Sequence, residues 1–117
     1  MYRIIGMVTL SFIVIGTAQA EWLELKTKAD FDKYVVGKTI GYEKCNLVLQ
    51  DNGRLTGKCG TAVSKITWEI KNGMYCRKGY MGKSKLEPDC QKFEVNGKKL
   101  RITRDYGKGK SGIWNIK

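Results

Sequence analysis

Along residues 21–117 the hydrophobic pattern changes period once. Phe31, Tyr34 and Val35 fall at i, i+3 and i+4, one face of a helix. Thr27-Lys28-Ala29-Asp30 is a capping-box pattern, Leu25 stands before it as a hydrophobic staple, and Gly37 ends the helix. Beyond Gly37 the period is two. Ile66-Thr67-Trp68-Glu69-Ile70 and Lys99-Leu100-Arg101-Ile102-Thr103 alternate strictly, and Asp51-Asn52-Gly53, Asn72-Gly73 and Asn96-Gly97 are hairpin signals. Strands are expected at 38–43, 45–50, 54–59, 65–71, 74–78, 91–95, 98–104 and 112–116, with a loop over 77–89.

This spacing predicts a mainly β fold. One short N-terminal helix precedes an antiparallel meander that forms a small barrel or a strongly curled sheet, lipocalin-like in outline. A three-residue loop at 51–53 sets Cys45 opposite Cys59, Leu47 opposite Gly57 and Leu49 opposite Leu55, all on the inner face. A two-residue turn at Asn72-Gly73 sets Trp68 opposite Arg77 and Ile70 opposite Tyr75. A turn at Asn96-Gly97 sets Phe93 opposite Leu100. Cys76 and Cys90 then share the outer parity, which allows a bridge across the 77–89 loop. Of the three possible connectivities, 45–59 with 76–90 fits these registers.

Disulfides need an oxidising compartment, and the first 20 residues supply the address. Arg3 gives a positive start, an apolar run extends from Ile4 to Ile15, and Ala18-Gln19-Ala20 is an A-x-A cleavage site before Glu21. The run is too short for a membrane span, which needs about 20 residues. Residues 1–20 are therefore expected to be a signal peptide and residues 21–117 one small β-rich domain, exported to the periplasm or secreted, with no transmembrane segment after processing. A domain of about 100 residues gains much from covalent staples. No C-x-x-C pair occurs, so zinc is the weaker reading of the four cysteines.

A resemblance enters on short motifs: Gly53-x-x-x-Gly57, the run Trp68-Glu69-Ile70-Lys71-Asn72-Gly73-Met74-Tyr75-Cys76-Arg77, Asp89-Cys90, and Asp105-Tyr106-Gly107-Lys108-Gly109. Together with the leader and the short helix, they resemble a family of short exported alphaproteobacterial proteins of unknown function, some named dihydrodipicolinate reductase. The resemblance implies a fold and an exported location. Cys45, Cys59 and the strong positive charge depart from that family's pattern. The reductase name finds no support, because no G-x-G-x-x-G lies between a strand and a helix and the chain is too short for a dinucleotide domain.

Chemistry is next. There is no histidine, which removes the commonest general base and metal ligand, and the carboxylates are scattered. No catalytic constellation, metal site or cofactor site is expected, and the protein reads as a non-enzyme. Gly107-Lys108-Gly109-Lys110-Ser111 imitates a phosphate loop, but Arg104 stands where the first glycine of that motif belongs.

Charge carries the functional expectation: Lys+Arg 22 against Asp+Glu 11, a net +11. Arg77, Lys78, Lys83 and Lys85 form one basic run. Lys98, Lys99, Arg101, Arg104, Lys108 and Lys110 form another. On neighbouring strands the two would make one anion-binding surface for an envelope polymer, a lipid headgroup or an acidic protein, rather than for specific nucleic acid. The plain alternative is a solubilising charge. Arg77 faces Trp68 on the apolar side, so it either snorkels or stacks on the indole, or it anchors an anionic ligand at a barrel mouth with Trp68 and Tyr75 as its aromatic neighbours. A protein-interaction or inhibitor domain, with an exposed aromatic patch or edge strand, is the second class.

Overall fold

In the computed structural model, which describes residues 21–117, the chain after Gly37 is the expected meander. Its elements are β1 (Leu23–Leu25), α1 (Lys28–Tyr34), β2 (Thr39–Tyr42), β3 (Cys45–Leu49), β4 (Arg54–Cys59), β5 (Ala62–Lys71), β6 (Met74–Met81), β7 (Ser84–Asn96), β8 (Lys99–Thr103), α2 (Arg104–Gly107) and β9 (Ser111–Ile116). The signal-peptide reading lies outside the described residues. Sequential hairpins run from β2 to β8, β9 returns to pair with both β8 and β2, and the eight strands β2–β9 close into an antiparallel barrel. β1, too short for the periodicity reading to detect, lies beside the last part of β7.

The helix is built as its sequence implies. Thr27 caps it and exchanges hydrogen bonds with Asp30, whose carboxylate also accepts from the Lys26 backbone at 2.9 Å. Those backbone donors hold the Asp30 carboxyl below its ordinary range. Phe31 and Val35 are fully buried, with Phe31 5.2 Å from Phe93 between ring centroids. Leu25, Leu49, Val95 and Leu100 complete this core, so α1 plugs one end of the barrel.

Three hairpin registers were expected, and two are found. Cys45 pairs with Cys59 and Leu49 with Leu55 across the three-residue loop, and Trp68 pairs with Arg77 across Asn72-Gly73. Asn72 and Gly73 both take positive φ, as a turn matched to strand twist requires. The third register is corrected. Phe93 pairs with Ile102 and Val95 with Leu100, because the turn is Gly97-Lys98 with Asn96 inside the ladder. Gly97 supplies positive φ at the first central position, which a Gly-X turn needs as well as Asn-Gly does. The slip is two residues, so inward and outward faces are unchanged.

The expected loop at 77–89 is also corrected: it is a hairpin turning at Gly82-Lys83. Pro88 conceals it. Arg77 pairs with Asp89 and Gly79 with Leu86, so Glu87 and Pro88 together oppose Lys78 in a bulge, where a residue without N–H is tolerated. Both disulfides form, Cys45–Cys59 on the inner face and Cys76–Cys90 on the outer, and no free cysteine is present among the described residues.

Candidate functional site

In an up-and-down barrel the turns alternate between ends. The closed end holds α1 and the turns at 50–53, 72–73 and 97–98. The other holds the turns at 43–44, 60–61 and 82–83 and the β8–β9 connection at 104–110. This second end is open. A cavity of about 480 Å³ enters the barrel there, within the range of small-ligand sites.

Its walls follow from strand parity. Ile40, Leu47, Leu55, Ile66 and Phe93 face inward and are buried, and the Cys45–Cys59 bridge lies on the same wall. Tyr75 and Gln91 are cross-strand partners inside, 3% and 6% exposed. Burial raises the Tyr75 phenol well above its ordinary value, an effect the Arg77 charge partly offsets, so the hydroxyl stays neutral. The Gln91 amide nitrogen donates to the Asp89 carboxylate at 2.9 Å. Nearer the opening, Tyr42 and Trp114 pack with ring centroids 5.2 Å apart. Gly112 presents no side chain to the space.

Charged residues finish the opening. Arg77, Arg104 and Lys110 line it, with Glu43 as the one carboxylate. The β7 ladder to β8 ends at Lys92 and Thr103, so β7 overshoots β8 toward the open end. The Asp105 N–H then donates to the Asp89 carboxylate at 3.2 Å, which fixes α2 beside that overhang. Asp89 is the register partner of Arg77, so Arg77 comes level with α2 and Arg104. The Arg104 N–H donates to the Lys110 carbonyl at 3.0 Å, which closes the connection and brings the two residues' backbones together, and both side chains line the opening. Arg77 itself donates from Nη1 to the Glu87 carbonyl at 2.7 Å, an acceptor inside the bulge. It has snorkelled toward the opening, and no cation–π contact joins it to Trp68 among the described residues. Trp68 is buried away from the cavity, its indole N–H donating to the Arg54 carbonyl at 3.1 Å.

The other basic residues are distributed as follows. Lys83 and Lys108 belong to open-end turns, and Lys85 lies on the outer wall in one cross-strand row with Tyr80 and Lys65. Lys78 points outward on β6. Lys98 and Lys99 stand at the closed end, where Lys99 donates to the Asn115 amide oxygen at 2.7 Å. Arg101 is held by Glu94 at 2.9 Å and lies 4.3 Å from the centre of the Trp22 ring, and this pairing keeps the Glu94 carboxyl below its ordinary range. The two basic runs therefore do not merge, and the open-end members are the ones that share a cavity.

A groove of about 510 Å³ on the outer face runs past Cys76–Cys90. It mixes Glu69 and Asp89 with Lys71, Arg77 and Lys78, so its charges nearly cancel, against three cations and one carboxylate at the barrel opening. The large apolar residues left exposed, Leu23, Tyr42, Val63, Tyr80, Tyr106 and Ile113, lie one each on six elements. Sequence reasoning singled out Arg77, Arg104, Lys110 and Tyr75 but missed Gln91, Trp114 and Gly112; inward parity on β7 and β9 is the signal that carries them. Among the described residues no helix is long and apolar enough to cross a membrane, and no metal-binding cluster of His, Cys, Asp or Glu occurs. No protein-family model, curated protein or solved structure matches the chain.

Proposed function

We propose that the chain is an exported, non-enzymatic binding domain that takes an anionic group at the open end of its barrel, with Arg77, Arg104 and Lys110 as the residues that hold it. One observation carries the reading: an apolar cavity ends in three cations and one carboxylate, a local excess of positive charge beside a desolvating wall. Low-dielectric walls strengthen such an attraction, and a guanidinium offers paired donors to a carboxylate or phosphate. The two disulfides and the leader-like first 20 residues support export, and the anionic groups of an envelope polymer or lipid headgroup are the partners available there.

The test separates site from net charge. Arg104→Gln with Lys110→Gln alters the open end, and Lys98→Gln with Lys99→Gln removes equal charge at the closed end. Retention on heparin and on vesicles containing phosphatidylglycerol, each across a salt series, should fall at least tenfold for the first pair and less than twofold for the second. Equal losses would mean diffuse attraction and no site. In the same preparation, exported material should begin at Glu21 by mass measurement, and retention of residues 1–20 would overturn the export reading.

A further inference from the structure

Resting on that reading, we propose that the ligand is a single-chain amphiphile, with a carboxylate or phosphate head among Arg77, Arg104 and Lys110 and an unbranched aliphatic tail inside the barrel. A purely electrostatic site would need cations on a surface. Here the cations ring the opening of a space whose deeper walls are Ile40, Leu47, Leu55, Ile66 and Phe93, with Tyr75 and Gln91 as the polar groups among them. Water gains little among such walls, while an aliphatic chain exchanges all of its hydration for contact with them.

Size limits the tail. At about 30 Å³ per water-sized group, roughly the share of one heavy atom, 480 Å³ accepts about 16 non-hydrogen atoms. A three-atom carboxylate or a five-atom phosphate head leaves room for a chain of about 11–13 carbons. The closed end bounds its reach, because Phe31 and Phe93 seal the barrel beneath. Tyr42 and Trp114, tilted 31° to each other, present an aromatic wall just inside the rim, suited to the first methylenes below the head. Gly112, between them and the opening, keeps the entrance wide. A Cβ there would meet the Trp114 and Tyr42 rings at 4.0 Å, ordinary contact, so a side chain at 112 starts without strain and grows against the aromatic wall of the entrance.

The experiment is isothermal titration of the mature protein with hexanoate, octanoate, decanoate, dodecanoate and tetradecanoate below their micelle concentrations, with dodecyl phosphate as the second head group. Affinity should tighten about three- to fourfold per added methylene and level off near twelve carbons. Gly112→Leu, which fills the entrance and leaves every cation in place, should weaken dodecanoate at least tenfold while retention on heparin stays within twofold. Arg104→Gln should weaken both head groups at least tenfold. A greater loss for dodecyl phosphate than for dodecanoate marks the phosphate head as the native one, and the reverse marks the carboxylate. Heparin retention that depends on Arg104 and Lys110, with no gain along the chain series, would overturn the amphiphile and keep the anion site. Chain-length dependence insensitive to Arg104→Gln would overturn the anion site and the proposed head contact. Binding of neither probe overturns both.

Discussion

The two disulfides enclose loops of equal length, 14 residues apart in each case, and the loops do not overlap. Chain entropy alone therefore assigns each the same value, about 3 kcal/mol for a loop of about 15 residues. Their surroundings differ. Cys59 packs against the hydrophobic core and both inner sulfurs line the cavity, whereas Cys76 and Cys90 lie on the outer wall. Replacing Cys76 and Cys90 by Ala should cost about 3 kcal/mol, a fall of about 12–24 °C in Tm for a domain of this size. Replacing Cys45 and Cys59 by Ala should cost about 1 kcal/mol more, because the contacts of the partly buried Cys59 with the core go as well. Separate loops make the two losses add, so the fourfold variant should lose about 7 kcal/mol. A domain of about 100 residues has only about 5–15 kcal/mol in total, so the fourfold variant should be largely unfolded at room temperature or close to it. Urea melts followed by circular dichroism measure both terms, since the freed unfolded chain also raises the m-value. An inner-pair variant no less stable than the outer-pair variant would refute the assignment of the inner sulfurs to the core.

Phe31→Ala empties the plug at the closed end and should cost about 3–5 kcal/mol in the same melts. Gly79 has φ of +135°, and a Cβ there would stand 2.2 Å from the Lys65 carbonyl oxygen, so Gly79→Ala should destabilise by about 2 kcal/mol or more; Gly112→Ala should change stability by less than about 0.5 kcal/mol. Asp30 is more acidic folded than unfolded, so its contribution is complete above the unfolded value of about 3.9 and disappears as pH falls through the lower folded value. Asp30→Asn should therefore flatten the loss of stability between about pH 5 and pH 2, and an unchanged acid slope would show that the cap does not titrate as described.

Most of the fold was legible because its signals are local. The Thr27–Asp30 box, the 51–53 loop and Asn72-Gly73 each determine a short-range geometry; the 51–53 loop sets the Cys45–Cys59 register, and Asn72-Gly73 sets the outward parity of Cys76. What was hidden had its signal cancelled. Pro88 and two glycines read as a loop because a strand containing proline needs a bulge, and a bulge is visible only once its partner strand is known. β1 is three residues long, below the length at which alternation can be recognised, and its place is set by Leu25 sharing the core with Phe31.

The site was harder to see than the fold, for a geometric reason. Lys98, Lys99, Arg104 and Lys110 form one basic run in sequence, but β8 separates them by five strand residues at about 3.4 Å each. A run that looks like one surface is thereby divided between two ends of the barrel. Arg77 and Arg104, far apart in sequence, come level because β7 overshoots β8 and Asp89 holds both the Arg77 register and the start of α2. The two-residue slip at Gly97-Lys98 illustrates the same distinction. It leaves every side chain on its expected face and displaces each partner by about 7 Å along the strand. Parity decides which residues line a barrel, and alternation reveals parity. Depth decides which of them meet at its mouth, and depth accumulates over every turn length and bulge around the barrel.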